Sequence, residues 1–176
     1  MKVIRPLDET TNKPTIFLAG PIQSAPDWHS VAIKNFEQLH EYVSNVEFDI
    51  ASPKMLNKPE EFYYDKQVAW ESKNLANAAA GGVILFWLAN PIPEELDPSR
   101  SYAQTTRFEI AEWFGKANYN KGIKLAIGAE PGFHGVRYIK QRFADDLGIP
   151  VFDNLKDTCI HAIKLLNENY PGDLIF

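Results

Sequence analysis

The chain is poor in several things that would each have named a function. It has one cysteine in 176 residues, which excludes a disulfide framework and a cysteine-based zinc site. That residue, Cys159, shares an apolar stripe with Leu155, Ile163 and Leu166 and reads as a buried structural thiol. The histidines, at 29, 40, 134 and 161, have no metal-ligand spacing and read as surface or capping residues, so no metal site is expected. Gly-x-Gly-x-x-Gly and the Walker A pattern are both missing, which argues against dinucleotide binding and against ATP or GTP hydrolysis. Positive charge is short too. A net charge of −5 offers no basic excess to neutralise a nucleic-acid polymer. The longest apolar run is the length of one strand, far below a membrane span of roughly 20 residues. The N-terminus, "MKVIRPLDETTNKP", is polar and lacks the apolar core of a signal peptide. A cytoplasmic protein with no membrane partner is the expectation. Neither an internal repeat nor a low-complexity tract is visible.

What the chain has is alternation. Hydrophobic residues make up 45% and aromatics 12%, enough for one folded domain over 1–176. "TIFLAG" (15–20), "VEFDIAS" (46–52), "GVILFWL" (82–88), "GIKLAIG" (122–128) and "IPVF" (149–152) read as strands. Helices fall between and after them, at 27–44, 62–79, 105–117, 134–147 and 155–167. The first of these carries Trp28, Val31, Ala32, Phe36, Leu39 and Val43 on one stripe. Residues 1–13 read as a polar extension. Strand–helix alternation implies a parallel sheet with right-handed crossovers and helices on both faces. The predicted fold is a flavodoxin-like or Rossmann-like three-layer α/β sandwich, with five parallel strands in the order 2-1-3-4-5. A ligand is then expected beyond the carboxyl ends of the first and third strands, where the strand order reverses. The loops leaving them are "GPIQSAPDW" and "ANPIPEELDPSRSYAQTT".

Both loops are unusual as sequence. Gly20 permits close backbone approach and Pro21 fixes the next φ, so this is either a plain turn or a ligand-facing one. Residues 89–104 exceed the usual βα connection and carry Pro91, Pro93 and Pro98, as a stiffened lid would. Tyr63, Gln67, Trp70 and Asn74 recur at helical spacing, as internal packing or as a subunit contact. The apolar C-terminal "NYPGDLIF" is expected to pack on its own or a partner's surface. In "QTTRFEIAEW" (104–113), Thr106 and Glu109 have the Thr-x-x-Glu spacing of a capping box. As a cap, Glu109 would contribute about 1 kcal/mol. As a site residue it would lie in the first turn of a helix, where the dipole favours its ionised form.

"IFLAGPI", Trp28, "DKQVAWESKNL", "GGVILFWLANP" and "TTRFEIAEW", in that order, resemble the nucleoside 2-deoxyribosyltransferase superfamily, in particular its "nucleoside 2-deoxyribosyltransferase-like" branch. The resemblance runs from about Thr15 to the last helix. It implies a flavodoxin-like fold and cleavage or transfer of the N-glycosidic bond of a (deoxy)nucleoside through a covalent glycosyl-glutamate, with Glu109 as nucleophile. The partners it implies are a nucleoside or nucleotide and a free nucleobase, with no cofactor and a homo-oligomeric assembly. Gly20, Pro21 and Gln23 would border the site, Phe86 and Trp87 would stack on the base, and Gln104, Thr105 and Thr106 would bind sugar or base edges. The chain departs from the family's pattern at Ala111, where Gly is usual. It also departs at Gly82 and Ala103, where the family carries aspartates, and at Phe17, which has no hydroxyl to orient Glu109. Asp27, Asp65, Glu71 and Asp97 are the candidates to replace the missing acid or base. Arg100 and Arg107 leave a nucleotide substrate open. The departures keep two alternatives alive: a nucleoside or nucleotide N-glycosidase, and a non-catalytic nucleoside-binding module.

Overall fold

The structure is a computed structural model that describes residues 1–42, 47–56 and 63–167. Six parallel strands form one sheet: β1 (Val3–Ile4), β2 (Thr15–Ala19), β3 (Asp49–Ala51), β4 (Val83–Leu88), β5 (Leu125–Ala129) and β6 (Val151–Phe152), in the order β1-β3-β2-β4-β5-β6. Helices α1 (Trp28–Tyr42) and α5 (Leu155–Asn167) cover one face. Helices α2 (Tyr64–Gly81), α3 (Gln104–Tyr119) and α4 (Val136–Arg142) cover the other, and a π-helical turn at Phe143–Leu147 extends α4. The fold is Rossmann-like α/β.

The expected count of five strands and the order 2-1-3-4-5 are corrected by one element. The segment 1–13, expected as an extension, supplies an edge strand beside β3. The physical reason is Asp49. This carboxylate is buried inside β3, where it needs donors. The Lys2 amide reaches Oδ1 at 2.7 Å and the Thr11 hydroxyl reaches Oδ2 at 2.6 Å. Ladder bonds from Ile50 N–H to the Lys2 carbonyl and from Ser52 N–H to the Ile4 carbonyl complete the docking. The other five strands keep the relative order 2-1-3-4-5 among themselves.

β4 lies at the centre with all six residues buried, as a strand covered on both faces must be. Its alternate side chains divide the interior. Val83, Leu85 and Trp87 face α1 and α5, where Trp28, Ala32, Phe36 and Leu39 of α1 meet Cys159, Ala162, Ile163 and Leu166 of α5. Val31, expected on the α1 stripe, is exposed. Ile84, Phe86 and Leu88 face Trp70, Leu75 and Ala78 of α2 and Ile110, Trp113 and Ala117 of α3. Each large side chain so buried stabilises the fold by roughly 1.5–3 kcal/mol before entropy is counted. α1 starts on a side-chain cap, with Ser30 N–H donating to Asp27 Oδ1 at 3.1 Å. α5 starts on another, with Asp157 N–H donating to Asn154 Oδ1 at 2.8 Å. The expected ends of the first helix at 43–44 and the tail "NYPGDLIF" lie outside the described residues.

The two helical layers differ. α1 packs along α5, whereas α2 and α3 make little direct contact. α2 serves the crossover from β3 to β4 and α3 the crossover from β4 to β5, so the two helices are neighbours on one face of the sheet. The seam between α2 and α3 is the candidate groove, marked by two glutamates, Glu71 and Glu109, close enough for their charges to interact.

Candidate functional site

Glu71 of α2 and Glu109 of α3 both belong to this groove. Both helices begin at the carboxyl edge of the sheet, and the glutamates lie roughly 7–11 Å along them at 1.5 Å per residue. Both are half-buried. Burial pushes the Glu109 carboxyl up from 4.5 to about 7, and the negative charges of Glu71 and then Glu112 push in the same direction. Burial also raises Glu71, while a hydrogen bond from Gln67 Nε2 to Glu71 Oε1 at 2.8 Å favours its ionised form. Two carboxylates that feel each other in a low-dielectric setting hold protons as a pair. At neutral pH the Glu109 carboxyl is therefore near the middle of its titration.

The capping box does not form. α3 starts three residues earlier than that pattern required, at Gln104, with Ala103 as its left-handed cap and no side-chain cap bond. Thr106 is buried inside the first turn, and Glu109 stands in the second. The expected help from the helix N-terminus toward ionisation is overturned with it, because burial and like charge raise the carboxyl instead.

Two buried polar groups lie on the same two helices. Asn74, one turn beyond Glu71, donates from Nδ2 to the Trp70 carbonyl at 2.9 Å, and its buried Oδ1 has no partner among the described residues. Trp113, one turn beyond Glu109, has a buried Nε1 that is likewise unpartnered. Orphaned groups of this kind are costly and uncommon. The aromatic–amide stripe of α2 thus divides: Trp70 and Asn74 turn inward, Gln67 serves Glu71, and Tyr63 and Tyr64 are exposed.

The remaining predicted residues scatter. Gly20 touches core rather than cleft: a Cβ there would lie 2.3 Å from the Trp87 carbonyl and 2.7 Å from the Trp28 ring. Pro21 is buried, and its carbonyl accepts from Trp28 Nε1 at 2.7 Å. Gln23 is exposed. Phe86 and Trp87 point to opposite faces of β4 and are sealed in its two cores, 0% and 3% exposed. They cannot stack on one base. Gln104 and Thr105 are exposed at the start of α3. Asp27 caps α1 and pairs with Lys54 at 2.8 Å. Desolvation pushes its carboxyl up, but hydrogen bonds from Lys54 and Ser30 together with the Lys54 charge prevail and hold it at about 2. Asp65 is exposed in the first turn of α2. Asp97 is exposed and lowered by hydrogen bonds from the Ser99 hydroxyl and amide. Of the four acid–base candidates, Glu71 alone is brought to Glu109.

Gly82, read as a lost aspartate, precedes β4 at the amino edge of the sheet. A Cβ there would lie 1.9 Å from the Thr15 carbonyl oxygen. No side chain fits, so the absence of Asp at 82 takes nothing from a site at the carboxyl edge. Phe17 is buried in β2 with its ring 6.3 Å from that of Trp70.

The loop 89–103 is tied down. Ile92 N–H donates to the Ser24 carbonyl at 2.8 Å, the Ser24 hydroxyl to the Glu95 carbonyl at 2.6 Å, and the Tyr102 hydroxyl to the Ala89 carbonyl at 2.8 Å. A 3₁₀ turn at Pro93–Glu95 stiffens it. The two loops of the switch point are thus stapled to each other through Ser24, which adopts φ +55° to do so.

One histidine was misjudged from sequence. His29, expected at the surface or as a cap, is 1% exposed, with Nδ1 3.0 Å from the Ser52 hydroxyl. Burial depresses its basicity to about 3, with the Lys54 charge second, so it stays neutral. Cys159 is buried as expected, and burial pushes its thiol up to about 12, which makes it inert as a nucleophile. Among the described residues, no group of three or more His, Cys, Asp or Glu side chains is placed to hold a metal, and no helix is long and apolar enough to cross a membrane.

Comparison with protein-family models finds none that matches the chain, and comparison with curated proteins finds no match.

Proposed function

We propose that the protein cleaves or transfers the N-glycosidic bond of a 2′-deoxynucleoside, using Glu71 and Glu109 as a carboxyl pair. One observation carries the reading: two half-buried glutamates on helices either side of a groove, coupled so that one carboxyl is held near 7. Glycosidic cleavage needs this division of labour, one carboxylate to meet the oxocarbenium-like carbon and one carboxylic acid to protonate the departing group. The resemblance of "TTRFEIAEW" to the transferases' nucleophile segment supplies the roles.

With the shared proton on Glu71, the Glu109 carboxylate attacks C1′. The C1′–N bond breaks, its electron pair leaves with the base, and the Glu71 carboxyl proton passes to a nitrogen of that base. A glycosyl–Glu109 ester remains. An incoming base, or water, then attacks C1′ and gives its proton to the Glu71 carboxylate, which restores the pair. The steps need neither metal nor redox cofactor. Transfer and hydrolysis differ only in the second attacker.

A second reading exchanges the roles. The Gln67 bond favours an ionised Glu71, which would make Glu71 the nucleophile and Glu109 the acid. Incubation with a 2′-deoxy-2′-fluoro nucleoside, followed by peptide mass spectrometry, separates them. A glycosyl adduct on Glu109 supports the first assignment and one on Glu71 the second. No release of base from any common deoxynucleoside, with or without an acceptor base, would leave a nucleoside-binding module instead.

A homo-oligomer belongs to the same proposal. Tyr64 and Val68 of α2 and Phe108 of α3 are 66%, 40% and 73% exposed on the two helices that carry the glutamates, and a second copy laid on them would bury apolar surface and shield the groove. Sedimentation that finds monomer alone at micromolar concentration removes this part.

A further inference from the structure

A second hollow, of about 650 Å³, lies on the other side of α3. Arg107 and Glu109 are two residues apart on the helix, so their side chains leave it in nearly opposite directions. Arg107 borders this hollow with Asn90, Ser101 and Tyr102 from the loop after β4, and with Phe133 and His134 from the loop after β5. The hollow therefore stands beyond the carboxyl ends of two adjacent parallel strands, where ligands of such sheets bind. Its volume suits a small molecule.

The walls are held from outside. Asn90 N–H donates to Glu130 Oε2 at 2.7 Å, Asn90 Nδ2 to the Pro131 carbonyl at 2.9 Å, and the Tyr102 hydroxyl to the Ala89 carbonyl at 2.8 Å. Arg107 is held as well. Its guanidinium lies 4.7 Å from the centre of the Phe133 ring, and Nη2 donates to the His134 carbonyl at 3.1 Å. One donor of five fixes the fork in place and four are left. An arginine positioned by an aromatic face and a carbonyl has already lost its rotamer freedom, so the ordering cost of binding an oxyanion is small.

We infer that this hollow is a binding site for the phosphate group of a small phosphomonoester, with Arg107 as its anchor. Residues with donors line it from separate chain segments, Arg107 on α3 and Ser101 on the loop after β4, which suits a tetrahedral anion with three acceptor oxygens better than a planar carboxylate. Tyr102 and Phe133 give the organic part of such an ester apolar surface. The inference does not depend on the glycosidic reading, since it concerns the opposite side of α3 and a different side chain.

Calorimetric titration at 0.1 M salt tests it, with deoxyadenosine 5′-monophosphate, deoxyadenosine and inorganic phosphate as probes. The monophosphate is expected to bind at least ten-fold more tightly than the nucleoside. Arg107→Ala should weaken the monophosphate roughly ten- to hundred-fold, the size of a charge-assisted contact. Arg107→Lys, which keeps the charge and loses the fork, should fall between. Glu109→Gln should leave the Arg107-dependent increment in place, whether or not the protein cleaves nucleosides. Inorganic phosphate binding as tightly as the ester would identify free phosphate as the source and still support the anion site. If monophosphate and nucleoside bind alike, or if a folded Arg107→Lys or Arg107→Ala protein binds the monophosphate as wild type does, the inference is overturned.

Discussion

Replacing Glu109 by glutamine should make the protein more stable above neutral pH and, on the proposed function, abolish base release. The carboxyl titrates near 7 in the fold and near 4.5 as an ordinary glutamate. Below 4.5 it is neutral in both the folded and unfolded states and affects nothing. Between those values the unfolded chain releases its proton and the folded one keeps it, so folding stability falls as pH rises. Above 7 both states are ionised and the full cost is present. At 1.36 kcal/mol per pH unit that cost is about 3 kcal/mol as an upper figure. Glutamine has the same shape and no charge, so it should recover about 2–3 kcal/mol at pH 8.5. For a domain of this size that raises Tm by roughly 5–10 °C. Urea unfolding of wild type and Glu109→Gln at intervals from pH 4.5 to 9 measures it. The two stability curves should meet near pH 4.5 and diverge up to about 7. Curves that run parallel across that range would falsify the buried, charge-opposed environment, and with it the physical case for a proton-sharing pair. Glu71→Gln offers an internal control. It removes the repulsion but not the burial, and burial is the larger cause, so Glu109 should titrate lower in that variant yet remain above 4.5.

Three other outcomes follow from the same contacts. The rate constant kcat/KM for base release should fall as pH rises through about 7, whichever glutamate is the nucleophile, because the last proton of the pair is then lost; a flat profile from pH 6 to 9 excludes proton sharing. Asp27→Ala removes the α1 cap and the partner of Lys54, and should cost about 1 kcal/mol of stability at pH 7 with base release unchanged. That stability should persist to low pH, being lost only as pH falls from the ordinary 3.8 through about 2; acid unfolding midpoints of wild type and variant check it. Gly82→Asp, which introduces the residue the resemblance would place there, should unfold the protein rather than improve catalysis, since even a Cβ meets the Thr15 backbone; a folded variant with faster base release would refute this placement.

The layered fold was legible because its signals are redundant. "GVILFW" has no polar break and can only be a strand covered on both sides, and each helix stripe agrees with the strand before it. The edge strand was not legible, because Val3–Ile4 is too short to show a period. The clue was indirect: an aspartate within "VEFDIAS" would be buried by its own strand and would need donors from somewhere, and Lys2 and Thr11 supply them. The start of α3 was misjudged for a related reason. Thr106 and Glu109 have capping-box spacing, but the spacing does not say whether the helix has already begun, and a buried Thr106 serves packing. Glu109 was found through a resemblance, and Glu71 entered as one acid among four. Nothing local separates Glu71 from Asp65 or Asp97; only the groove between α2 and α3 does. The aromatic pair Phe86 and Trp87 failed on the simplest rule of a strand, that neighbours point to opposite faces.

The asymmetry between the two faces of the sheet is what allows a site at all. On the α1/α5 face, Trp28 and Trp87 fill the space near Gly20 so completely that a methyl group could not enter, and the Trp28 indole is bound to Pro21, His29 Nδ1 to Ser52 and Asp27 to Lys54, with His29 Nε2 alone of these groups left without a partner among the described residues. On the α2/α3 face burial raises two carboxyls, Glu71 and Glu109, and among the described residues a buried donor and a buried acceptor are left without partners. Each of those features costs stability, by an amount comparable with the loss of a core methyl or a helix cap. Among the described residues, all of them except the unpartnered His29 Nε2 fall on the side chains of two neighbouring helices. A fold under selection for stability alone would have closed α2 onto α3 and placed Gln or Leu at 71 and 109, and the predicted gain in stability of Glu109→Gln is the quantitative form of that statement.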